Sequence, residues 1–202
     1  MTVLGQKPST LALWVVLALP ALPLIGPLFG DDSQAFHRLL HPTGEWAARF
    51  MIIGMMASGL MLLFKGRQWP RWLVHHRRDI EVAAFVYAAL HTFVYVVDRG
   101  TLDRIVEALP HTEIWTGWLA MLIFLPLALT SNNATQRWLH AGWKTLQRFS
   151  YAAAVLVLIH WAALHNWGGW PPAAIHFGPL VALWAYRLWY WYLRPRTPAA
   201  AA

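Results

Sequence analysis

Six apolar stretches, each close to the length of a membrane-crossing helix, take up most of this 202-residue chain. They run approximately from Leu11 to Phe29, Trp46 to Phe64, Ile80 to Val97, Ile114 to Thr130, Phe149 to Asn166 and Ala173 to Leu193. At 1.5 Å per residue a helix needs about 20 residues to cross about 30 Å of hydrocarbon. The expected fold is therefore all-α: one polytopic bundle of six transmembrane helices forming a single domain over residues 1–202. Composition agrees, with 58% hydrophobic and 12% charged residues and a mean hydropathy of +0.41. The connections leave no room for a soluble catalytic, iron-sulfur or nucleotide-binding domain. The first stretch lacks a convincing small-x-small cleavage site and reads as a retained helix. The chain has no cysteine, which excludes disulfides, thiolate nucleophiles, cysteine-ligated clusters and covalent c-type heme attachment. Histidine is left as the strong transition-metal ligand.

The formal charge of +7 does not point to nucleic acid, because the cations sit in short loops rather than on one soluble face. Lys65, Arg67, Arg71, Arg77 and Arg78 separate the second and third stretches, and Arg137, Lys144 and Arg148 the fourth and fifth. The positive-inside rule makes both loops cytoplasmic. Lys7 before the first stretch and Arg194 and Arg196 after the last put both termini on the same side. Asp31, Asp32, Asp98, Asp103, Glu107 and Glu113 then face outward, to the periplasm if the membrane is a bacterial inner membrane. Fourteen tryptophans, many near expected helix ends, fit an interfacial belt.

Polar side chains at membrane depth are costly and usually functional. Of ten histidines, only His91 and His160 lie well inside an apolar run. His91 comes thirteen residues after Arg78 and His160 twelve after Arg148, so each lies roughly 18 to 20 Å from the basic end, toward the outer leaflet. Their helices run in the same direction. Two neutral imidazoles at one depth on parallel helices can clamp a heme b iron axially. Ala84 and Ala88 before His91, and Ala153 and Ala163 around His160, leave space for a porphyrin. The competing reading is that each histidine makes a hydrogen bond or a helix contact only; the matched depth favours ligation. Arg49, one turn inside the second stretch, is the best-placed cation for a heme propionate, against a simple snorkelling role. His165 lies about 140° around the helix from His160, which suits a quinone or an outer polar pocket rather than the same iron. His176 could join it there, although snorkelling or capping is simpler. His37, His41, His111, His75, His76 and His140 read as solvated or interfacial.

The segments RRDIEVAAFVYAALHTFVY, HPTGEWAARF and LTSNNATQRWLHAGWKTLQRFSYAAAVLVLIHW resemble the MsrQ (YedZ) family, within the ferric reductase-like transmembrane superfamily. The similarity spans most of the chain. It implies a heme-binding membrane subunit that delivers electrons from quinol, or in some members from a cytosolic flavin reductase, to a periplasmic molybdopterin methionine sulfoxide reductase that repairs oxidised proteins. It also associates the family with FMN, for which the cytoplasmic Arg77 and Arg78 are candidate anchors. In the superfamily a second histidine pair lies thirteen residues before the first and holds a second heme; here those positions are Arg78 and Gln147. The resemblance, so modified, implies one heme near the outer face. That places it roughly 20 Å from the cytosolic interface and favours quinol over a soluble flavoenzyme as donor. The expected role is an electron-transfer subunit rather than the catalytic reductase. The alternatives are a stand-alone metalloreductase, or a non-redox transporter or scaffold whose histidines relay protons or pack helices.

Overall fold

The computed structural model describes residues 8–26 and 34–194. Among them every regular element is helical: α1 (Pro8–Ala18), a 3-10 turn (Leu19–Ala21), α2 (Leu22–Ile25), α3 (Ala35–Leu63), α4 (Gln68–His75), α5 (Arg77–Arg99) and α6 (Leu102–Ala108). There follow α7 (Thr112–Leu129), α8 (Asn133–Leu139), α9 (Ala141–Gln147), α10 (Phe149–Trp167), α11 (Trp170–Leu188) and a π-turn (Trp189–Leu193). Residues 27–29 of the first expected span, and Lys7, Asp31, Asp32 and Arg196 of the orientation argument, lie outside the described residues.

Four helical stretches are long and apolar enough to cross a membrane: Ala35–Leu63, Arg77–Arg99, Thr112–Leu129 and Ala141–Trp167. The two expected terminal spans are not among them. The N-terminal apolar stretch, Thr10–Ile25, is shorter and is broken where Pro20 removes a backbone donor and the chain tightens into the 3-10 turn. The last helix, α11, carries Pro179 inside it together with His176 and Arg187. The second span begins at Ala35 rather than Trp46, because the polar run His37 to Glu45 continues the helix through Pro42. Helical φ/ψ in α10 ends at Leu164 (ψ 143°), and His165 and Asn166 take left-handed values of φ 55° and 54°. Those conformations are sterically costly for non-glycine residues.

The packing divides the bundle into two antiparallel hairpins. One pairs α3 with α5 through the short α4, and the other pairs α7 with α10 through α8 and α9. α11 closes the open side against α3 and α10, and α1 lies on α5, where Tyr87 donates to the Leu17 carbonyl at 3.1 Å. Small residues set the closest approaches, as expected where lipid supplies no competing hydrophobic drive. Ala57, Ala153 and Ala173 are fully buried. A Cβ on Gly54 would lie 2.7 Å from Glu81 Cγ, and one on Gly59 would lie 3.1 Å from Leu183 Cβ. His76, expected to be solvated, is buried between α4 and α5. It stacks near Trp72 (centroids 4.8 Å) and reaches Asp79 at 3.2 Å, in the first turn of α5.

Candidate functional site

His91 on α5 and His160 on α10 meet between the two hairpins. Their ring centroids are 6.1 Å apart and their planes lie at 79°. Each imidazole is tied at Nδ1 to the neighbouring helix of its own hairpin. His91 Nδ1 donates to the Leu40 carbonyl at 3.0 Å, with Thr43 Oγ1 at 3.2 Å. His160 Nδ1 donates to the Glu113 carbonyl. An occupied Nδ1 fixes the tautomer and leaves Nε2 free to ligate a metal, the arrangement of most histidine metal sites.

The two cradles match residue for residue. A Cβ on Gly44 of α3 would sit 3.0 Å from His91 Cε1, and one on Gly117 of α7 would sit 2.9 Å from His160 Nδ1. Only glycine lets the helix backbone come this close to a ring. In each helix the carbonyl that accepts from the histidine lies four residues before the glycine. The residue just before the glycine is a fully buried threonine, Thr43 or Thr116. Thr43 Oγ1 donates back to Leu39 at 2.7 Å and Leu40 at 3.0 Å; Thr116 Oγ1 donates to Thr112 at 2.6 Å and Glu113 at 3.5 Å. Such i−4 back-bonding satisfies the hydroxyl inside the bundle. α3–α5 and α7–α10 thus form two half-sites in one register and one orientation, a parallel internal repeat. The Thr-Gly dipeptides at 43–44 and 116–117 carried this signal in the sequence and went unread there, because a lone Thr-Gly is uninformative until each is paired with its histidine.

These residues fit a bis-histidine heme. Two imidazoles that ligate one iron through Nε2 at about 2 Å, each ring centre lying about 1 Å further out, have centroids about 6 Å apart. Among the described residues no group of three or more His, Asp or Glu side chains could hold a bare metal ion. Ala84, Ala153 and Ala163 are buried, and Ala88 is half-buried.

A polar cluster lies close by. Arg49 pairs with Glu45 at 2.5 Å and donates from Nε to His176 Nε2 at 3.4 Å, while His176 Nδ1 donates to the Pro172 carbonyl at 2.8 Å. Trp46 lies under the Arg49 guanidinium at 4.8 Å, and Trp161, next to His160, packs on His176 with centroids 4.8 Å apart. Arg49 is therefore anchored beside the site with a carboxylate partner that sequence reading did not assign. His176 joins this cluster. His165 does not; it is exposed at the kink of α10.

At the basic end, Arg77 pairs with Glu81 at 2.7 Å, and Arg78 donates to Asn133 at 2.6 Å and Gln136 at 3.1 Å. Gln147 donates to the Leu127 carbonyl at 3.2 Å. It borders a cavity of about 40 Å³ with Glu81 and Ser150, whose buried hydroxyl has no hydrogen-bond partner. The two positions where the resemblance places a second histidine pair thus hold side chains engaged in hydrogen bonds to α7 and α8.

A family model described as the ferric reductase like transmembrane component matches residues 43–159, which include Gly44, His91 and Gly117 and stop one residue short of His160. The chain is 30% identical over 96% of its length to proteins of Brucella ovis and Brucella suis, covering 89% of each. Both relatives are named protein-methionine-sulfoxide reductase heme-binding subunit MsrQ. No solved structure matches the chain.

Proposed function

Because the chain belongs to the ferric reductase-like transmembrane components and, among them, to the MsrQ heme-binding subunits, we propose that it holds one heme b between His91 and His160. In this reading it passes electrons from quinol to a periplasmic molybdopterin methionine sulfoxide reductase. The observation that supports it most is the paired half-site: two imidazoles with centroids 6.1 Å apart, each fixed at Nδ1 by a carbonyl and pressed against a glycine. The heme supplies a reversible one-electron couple; the protein sets its position and potential. Leu40 and Glu113, through their carbonyls, hold both rings in the tautomer that ligates. Gly44 and Gly117 let the rings sit where one iron can span them. Arg49, with Glu45 and His176, places a cation at the outer rim for a propionate.

Six spans with both termini cytoplasmic put this site toward the periplasmic face of an inner membrane. Quinol is preferred to FMN or a soluble flavoenzyme as donor, since Arg77 and Arg78 already have side-chain partners and the iron lies roughly 20 Å from the basic end. The test is the pyridine hemochrome of purified protein, measured per polypeptide, with reoxidation of the reduced protein by the periplasmic reductase followed in parallel. One heme per chain, oxidised by the reductase faster than by ferric chelates, is the expected result. A heme-free chain, or oxidation by chelates alone, overturns the reading.

A further inference from the structure

A second site lies at the opposite end of the bundle from the paired imidazoles. A cleft of about 480 Å³ opens between the basic end of α3 and the π-turn that follows α11. Lys65, Arg67 and Arg194 line it together with Tyr186, Trp189 and Tyr190. No carboxylate is among the lining residues. Among the described residues none of the three cations forms an ion pair, whereas Arg49 and Arg77 each have a carboxylate partner.

The local backbone gathers these charges. The π-turn is closed by Arg194 N donating to the Trp189 carbonyl at 2.8 Å, the wide i→i+5 step that often marks functional segments. It brings the Arg194 guanidinium over the Tyr190 ring at 5.0 Å. From the other side Lys65 approaches the same ring at 4.3 Å and donates to its hydroxyl. Arg67 is exposed on the rim. Three positive charges around aromatic walls, without an internal anion, make a phosphate receptor.

The lip of the cleft is apolar and outward-facing: Leu63 is 47%, Phe64 43% and Trp189 46% exposed. A water-soluble phosphate ester has no use for that surface, whereas a phospholipid lays its acyl chains on it. We propose that this cleft binds the phosphate of an anionic phospholipid from the leaflet at the basic end of the bundle. Basic pockets between membrane helices bind such headgroups, each nearby cation contributing about fivefold in affinity.

The experiment uses full-length protein in nanodiscs of phosphatidylcholine and phosphatidylglycerol in equal parts, with co-purified lipid counted by native mass spectrometry after transfer to detergent. Wild-type protein is expected to retain phosphatidylglycerol over phosphatidylcholine. The Lys65→Ala/Arg67→Ala/Arg194→Ala variant should lose that preference by more than tenfold. A charge-matched control, Arg71→Ala/Arg137→Ala/Lys144→Ala, should keep it. Near-ultraviolet circular dichroism checks that each variant is folded, and single substitutions replace the triple if it is not. A second arm titrates FMN into lipid-free protein and follows flavin quenching. Equal retention in wild type and triple variant overturns the proposal, and so does FMN binding that the triple abolishes without any phosphatidylglycerol preference. The readout does not depend on heme, so a heme-free preparation would sink the functional reading above and leave this one standing.

Discussion

At the residue scale the site is decided by atoms that sequence patterns do not display. The pairing of His91 with His160 was legible in their matched distances from the flanking arginines, and the structure brings the two rings together. The atoms that hold them there were not readable, since two are backbone carbonyls and two are the missing side chains of Gly44 and Gly117. Gly44→Ala and Gly117→Ala each push a methyl to within about 3 Å of a ring atom and should weaken heme retention by about tenfold, the usual effect of disturbing the groups that orient a ligand. Gly178→Ala, with nothing within 4 Å of the added carbon, should leave it unchanged; hemochrome content after extended dialysis compares the three. His91→Ala and His160→Ala should each abolish b-type absorbance, and full retention in either would refute the axial pair. The 79° between the rings adds a spectroscopic expectation. Near-perpendicular axial imidazoles leave the iron dπ orbitals almost degenerate, so the ferric protein should give a highly anisotropic low-spin electron paramagnetic resonance signal instead of the rhombic signal of parallel rings. Arg49→Gln removes the cation proposed to face a propionate and should lower the midpoint potential. An unchanged potential would leave Arg49 only as the partner of Glu45.

At the element scale the sequence located the apolar centres of the helices and misplaced their ends. Hydropathy stops at Trp46, yet α3 continues back to Ala35, because polar residues in a helix at a membrane surface break the apolar run without breaking the backbone ladder. It also read α10 through to Asn166, since nothing in the side chains of His165 and Asn166 announces left-handed backbone. What fixes helix against helix is the spacing of small residues. Gly54→Val in α3 would drive its Cβ into Glu81 and disturb the Arg77–Glu81 pair. A cost of about 1–3 kcal/mol is expected from such overpacking, visible as a lowered thermal midpoint in detergent, while the exposed Gly142→Val, with no neighbour within 4 Å, should be silent.

At the scale of the whole molecule the all-helical class was legible from composition and run length, whereas the span count was not. Pro20 and Pro179 lie in the terminal stretches, and the six-span proposal depends on those. Alkaline phosphatase fused after Gly100 should be active, and fusions after Gly66 and at the C-terminus should be inactive. An active C-terminal fusion would mean an odd number of crossings and would remove the proposed topology.

The duplicated cradle also bears on assembly. Each hairpin brings one ligand together with the groups that aim it, so neither hairpin alone has a two-sided socket, and the prosthetic group can be gripped only after the two have met. A ligand that recognises only the joined form stabilises that form in proportion to its affinity. On the proposed reading the heme is then a rivet as well as a conductor. A chain cut at Gly100, between the hairpins, should still come together from its two fragments when heme is supplied and drift apart when it is withheld.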